Sequence, residues 1–117
     1  MATEMVKVER QDDVAIITLI LDNIMHDDNE KLMQGFDSLL LTGTKKIILD
    51  FRETTYISSL ILASFVYIHK KAHDAGGDLV FCHVKSRVQE ILAMTNLDKV
   101  FNIVATRQDA LAYLMKK

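Results

Sequence analysis

Hydrophobic positions along this chain follow two periods. Val14 to Leu21 reads Val-Ala-Ile-Ile-Thr-Leu-Ile-Leu, an almost unbroken apolar run that suits a central strand covered on at least one face. Met5 to Arg10 alternates before it, and the charged turn Gln11-Asp12-Asp13 joins the two as an antiparallel pair. Leu32, Phe36, Leu39 and Leu40 then recur at helical spacing, with Asp27 or Asp28 able to cap the start and Gly43 the stop. Ile47 to Phe51 is too short for a helix and rich in β-branched residues, so it reads as a buried strand. Strand, helix, strand implies a parallel pair with a right-handed crossover. From Leu60, the positions Leu62, Phe65, Val66, His69 and Ala72 predict a second helix ending at Gly76-Gly77, and Asp78 to His83 the next strand.

Ser86 with Gln89 has the form of a capping box ahead of Ile91, Leu92 and Met94. Phe101 to Val104 reads as a last strand, and Thr106 with Asp109 as the cap of a final helix carrying Ala110, Leu111, Leu114 and Met115. The predicted order is β, β, α, β, α, β, α, β, α. This is an α/β domain: a small mixed, mostly parallel β-sheet with about four α-helices packed beside it and an N-terminal antiparallel strand pair.

Composition narrows the function. The 117 residues, half of them hydrophobic and 26% charged, fit a single domain over 1–117 with a core that needs no staples. A net charge of -2 leaves no cationic excess for phosphate backbones, so nucleic acid is not the expected partner. Cys82 has no second cysteine to pair with, and the N-terminus lacks a basic, apolar leader, which together point to a reducing cytoplasm. Ile57 to Ile68 is too short to span a bilayer and is interrupted by Ser58, Ser59 and Ser64, so membrane insertion is not expected.

Enzyme signatures are nearly absent: there is no glycine-rich phosphate loop, no Gly-x-Ser-x-Gly elbow and no Cys/His cluster at metal spacing. No cofactor or metal is expected. His69 and His73 share one helical face, but two ligands do not make a metal site. Cys82, between Phe81 and His83, reads as a small buried hydrophobe. Asp50 ends a strand, where phosphorelay receivers keep their acceptor, yet the acidic pair that would hold Mg²⁺ is missing, so a strand-end anchor is the simpler reading. The junction Thr54-Thr55-Tyr56-Ile57-Ser58-Ser59-Leu60 joins a buried strand to a helix, the end of an α/β sheet where ligands and modifications are handled. A serine there is either a helix N-cap or a phosphate acceptor; a phosphate at a helix N-terminus leaves the local structure intact and changes the surface. Asp22 to Asp28 is either a solvated acidic loop or a partner contact.

Ile47-Ile48-Leu49-Asp50-Phe51, Tyr56-Ile57-Ser58-Ser59, Gly76-Gly77-Asp78-Leu79-Val80 and the stretch Val88 to Leu97, with its Thr95-Asn96-Leu97 ending, resemble the STAS domain of bacterial anti-sigma factor antagonists over nearly the whole chain. The resemblance implies a non-enzymatic module that binds an anti-sigma factor, itself a serine protein kinase; phosphorylation of one serine blocks binding and a serine phosphatase restores it. In register with the family's Asp-Ser-Ser-Gly-Leu, Ser59 is the implied acceptor and Ser58 the second choice. Leu60 and Ile61 stand where the family has a small residue and glycine. Asp22, Asn23, His26, Tyr56, Ser58, Ser59, Leu60, Thr95 and Asn96 are the implied partner-binding residues, and a homodimer is compatible with the pattern. The alternative is a STAS scaffold that is not phosphorylated and acts by constitutive binding or self-association.

Overall fold

The computed structural model describes residues 5–116, in the order β1 (Val6–Gln11), β2 (Val14–Leu19), β3 (Asn23–Ile24), α1 (Asn29–Leu41), β4 (Lys46–Asp50), β5 (Tyr56–Ile57), α2 (Ser59–Asp74), β6 (Asp78–Cys82), α3 (Ser86–Met94), β7 (Asn102–Ile103) and α4 (Arg107–Met115). Five strands make one sheet in the order β1-β2-β4-β6-β7, antiparallel between β1 and β2 and parallel elsewhere. The apolar runs of β2, β4 and β6 are continuous because both faces are covered. Ile17, Leu49 and Phe81 turn toward α1, α2 and α3, while Val14, Ile16, Ile48, Val80 and Cys82 meet Ala110 and Leu114 of α4. All five phenylalanines lie on the three-helix side. Phe65 meets Phe36, Phe51 and Phe81 edge-on, and Phe81 stacks on Phe101 at 4.4 Å between centroids.

Two caps differ from the sequence reading. Asp28 does stand at the N-cap position of α1, but its side chain accepts no amide of that helix; its carboxylate instead accepts the Met25 amide at 2.8 Å and closes a 3-10 turn, His26–Asp28, that feeds the helix. Ser86 does not cap α3 either. Lys85 holds that position, Ser86 is already helical, and the Gln89 side chain donates to the Val84 carbonyl. An extended Lys85 (ψ 159°) lets the helix begin one residue early, so the serine lies past the point where its oxygen can reach the third amide. Thr106 does cap α4, its hydroxyl accepting the Asp109 amide at 3.1 Å. The last strand is shorter than Phe101 to Val104, and β3 and β5 are additional: they pair in parallel as a separate two-residue ladder.

The α2–β6 turn depends on two glycines for different reasons. Gly76 takes φ +93°, a left-handed stop. Gly77 runs against the chain entering β4, where an added Cβ would stand 1.9 Å from the Lys45 carbonyl oxygen. Backbone cannot rotate away as a side chain can, so Gly77→Ala is expected to lower stability by about 3 kcal/mol, read as a shifted urea midpoint. An unchanged midpoint would mean that the turn relaxes freely.

Candidate functional site

The loop that carries the serines is fixed by threonines and main chain. Thr54 is buried and its hydroxyl donates to the Leu21 carbonyl at 2.8 Å; the amides of Thr55 and Tyr56 both donate to the Asp22 carbonyl, and the Thr55 hydroxyl to the Asp22 carboxylate. Asn23 and Ile24 then pair with Tyr56 and Ile57, and the Ser58 amide donates to the Ile24 carbonyl. At the next turn the Ser64 hydroxyl donates to Asn29 Oδ1, tying α2 to the start of α1. The result is one end of the sheet on which Asp22, Asn23, Tyr56, Ser58, Ser59 and Leu60 are gathered.

The two serines have different tasks. Ser58 is 3% exposed, extended, and accepts the Ile61 amide at 3.5 Å as the N-cap of α2. Ser59 is the first helical residue and is exposed. Its amide belongs to the set that a helix leaves without internal partners, and the first turn of α2 holds no acidic residue. The site therefore offers a positive dipole end and one free-standing hydroxyl. Leu60, beside it, is 39% exposed, whereas Ile61 is fully buried in the core. The bulk at these two positions thus splits: one side chain faces solvent next to Ser59 and the other supports the helix from below.

A groove of about 470 Å³ runs from Tyr56 along α3, lined by Ser86, Arg87, Glu90, Ile91 and Met94. The Arg87 guanidinium stands 5.8 Å over the Tyr56 ring, and Met94 is 83% exposed. Sequence reading named Ile91 and Met94 only as apolar positions of the helix and did not single out Arg87. Their signal was present, because 87, 90, 91 and 94 fall on one helical stripe, but the capping box and core positions drew the attention. His26 is exposed in the 3-10 turn two residues beyond β3. Thr95 and Asn96 lie past the end of α3; the Thr95 hydroxyl returns to the Ile91 and Leu92 carbonyls, and Asn96 takes the left-handed conformation (φ 59°) that ends a helix without glycine. Among the described residues, no hydrogen bond joins either of them to the serine loop.

The other candidate chemistry is internal. Asp50 is fully buried, and its carboxylate accepts Arg107 Nε at 2.8 Å, Arg52 Nε at 3.0 Å and the Arg52 amide. Burial pushes that carboxyl up, and the hydrogen bonds from Arg107 and Arg52 outweigh it and hold it below its ordinary value. Arg107 also bonds Glu9 of β1 and Thr18 of β2, so one guanidinium joins three strands to the start of α4. Ligand atoms of Asp50, Cys82 and His83 lie within 4.8 Å of one another, but two guanidiniums already engage the carboxylate. Burial, with the Asp50 charge beside it, pushes the Cys82 thiol up to about 12, so a cation would have to displace a tightly held proton. Cys82 is the buried hydrophobe the sequence indicates. His69 and His73 stack at 6.5 Å, and His69 Nδ1 faces Asp78 Oδ1 at 3.7 Å.

Comparison with known proteins now bears on this geometry. Residues 5–110 match the family model of the STAS domain. The chain belongs to the STAS domain family. This STAS domain is 30% identical over 108 residues to a Thermotoga maritima protein named as an anti-sigma factor antagonist, spanning 91% of this chain and 94% of that one. The crystal structure of a Thermotoga maritima protein so named superposes with a TM-score of 0.84 at 26% identity, covering 95% of each chain. Bacillus SpoIIAA in its phosphorylated form shares the fold alone, at 14% identity and a TM-score of 0.71 over 92% of this STAS domain and 97% of SpoIIAA. Among the described residues, no helix is long and apolar enough to cross a membrane.

Proposed function

We propose that this STAS domain is an anti-sigma factor antagonist that binds an anti-sigma factor, itself a serine kinase, through the face around Ser59, and is released when Ser59 is phosphorylated. The observation that carries this reading is the division of labour between neighbours: Ser58 is buried and holds the helix start, while Ser59 is exposed one residue later. A kinase can modify the second without undoing the cap formed by the first. In the transfer the Ser59 oxygen bonds to the γ-phosphorus of ATP, ADP leaves and the hydroxyl proton passes to a base on the kinase. The domain catalyses nothing itself. The phosphate brings a charge of about -1.5 to -2 to a helix start that stabilises it and to a protein contact that does not. A serine phosphatase resets the surface. Relatives named for anti-sigma factor antagonism support the reading, as does SpoIIAA, solved in phosphorylated and unphosphorylated forms.

Asp22, Asn23, His26, Tyr56 and Leu60 supply the rim of the contact, with Met94 and Ile91 its apolar floor; Thr95 and Asn96 belong to it only at its far edge. Leu60 also favours the alternative, a scaffold that binds constitutively, because it crowds the side of the serine where a kinase must approach. Incubation with the anti-sigma factor co-purified from the native host and ATP separates the two. We expect intact-mass analysis to show one added phosphate on wild type and on Ser58→Ala, and none on Ser59→Ala. Unmodified wild type that still binds would establish the scaffold instead.

A further inference from the structure

A second site lies away from the serine face, between the edge strand β1 and α1. The even positions of β1 turn toward the helices, since Val6 and Val8 pair with the core residues Leu19 and Ile17. Val6 is half-buried against the core, whereas Val8 is left 47% exposed. Beside them is a cavity of about 400 Å³ walled by Val6, Val8, Ile17, Leu32, Phe36 and Leu39. The cavity is open to solvent on one side, and its volume is that of a small-molecule site.

Two independent features point to its occupant. Among the described residues, the charged side chains that line it are cations, Arg10 and Lys31. Arg10 is held in place by donating to Thr44 Oγ1 at 3.0 Å, and no ion pair of Lys31 is found among the described residues. The second feature is Gly35, also on the lining, in the middle of α1. Glycine there weakens the helix, and packing does not demand it, because an added Cβ would meet nothing within 4 Å. Its effect is to keep one wall of the cavity set back.

We infer that this cavity binds a small amphipathic carboxylate of the medium-chain fatty acid type, with the chain between β1 and α1 and the carboxylate at Arg10 and Lys31. The inference stands apart from the proposed switch, since none of these residues belongs to the serine face. It is tested on the full chain by calorimetric titration with decanoate below its micellar concentration, with decanol as the uncharged probe. We expect saturable binding of one decanoate per chain, with decanol at least about tenfold weaker. Gly35→Leu fills the cavity and should abolish binding while melting at or above the wild-type temperature, because a helix-favouring residue enters open space. Lys31→Glu should weaken decanoate at least about tenfold and leave decanol unchanged. Absence of saturable binding, equal affinity for the two probes, or full binding by Gly35→Leu would overturn the inference. So would sedimentation of the wild type as a dimer that Gly35→Leu dissociates, for the cavity would then be covered by a second copy of the chain.

Discussion

Arg107→Met is expected to destabilise the fold by about 3 to 5 kcal/mol at neutral pH, the range for removing one partner from a buried ion pair. Asp50 is fully buried, and the variant leaves its charge facing only Arg52, whose own side chain is half exposed. The loss is not confined to one contact, since Glu9 of β1 and Thr18 of β2 lose their guanidinium partner as well. The pH dependence supplies an independent check. Asp50 titrates below its ordinary value in the folded state, so its contribution is present above the unfolded value of about 3.9 and is lost as pH falls through the lower folded one. In Arg107→Met the burial penalty meets less opposition, and protonating Asp50 removes a buried charge that Arg52 alone compensates only in part. Wild type should therefore weaken on acidification while the gap between wild type and variant narrows. Urea unfolding at pH 7 and pH 3 measures both. A gap that stays constant across that range would show that Arg107 acts by packing alone. Asp50→Asn combined with Arg107→Met should cost less than Arg107→Met by itself, because an amide carries no charge to strand.

The sheet was legible in the sequence where a strand is buried on both faces, because Val14 to Ile17, Ile47 to Leu49 and Leu79 to Phe81 are unbroken apolar runs, with the charged residues of β4 and β6 confined to the strand ends. The two-residue strands β3 and β5 were not legible: two residues cannot display a period, and their pairing is imposed by bonds from residues 54–58 to residues 21–24, which are distant in sequence. Cap chemistry was half legible. Thr106 and Ser86 carry the same pattern, and the backbone decides which one caps: Thr106 is itself extended, whereas Ser86 is already helical after an extended Lys85. At the candidate site, spacing brought out both serines but could not divide their roles, because adjacent hydroxyls look alike until the helix start is fixed to one residue. The Arg107–Asp50 pair spans 57 positions and crosses from a strand to the last helix, so no local pattern announces it. The resemblance placed Asp50 in a strand-end motif; the structure adds why a charge is kept there, namely that it holds α4 to the sheet.

Ser59→Asp should weaken the complex with the anti-sigma factor at least about a hundredfold, equivalent to roughly 2.7 kcal/mol, while leaving stability within about 0.5 kcal/mol of wild type. Both halves follow from the position of the side chain. A carboxylate at the first residue of α2 lies at the positive end of the dipole, and that turn holds no other acid to repel it. The same carboxylate, enclosed by a partner against Tyr56, Leu60 and the α3 groove, loses water while the groove's cation, Arg87, stays over the Tyr56 ring, and a charge left unpaired in an interface costs several kcal/mol. Ser59→Asn separates charge from size: it matches aspartate in volume and should retain most of the affinity. Equal loss for aspartate and asparagine would make the effect steric, and undiminished binding by Ser59→Asp would place the partner elsewhere on the domain. Raised ionic strength gives a last discrimination. Repulsion across an open rim would be screened by salt, whereas the cost of desolvating a carboxylate under a closed contact would not, so the defect of Ser59→Asp should persist at high salt if the partner seals over the helix start.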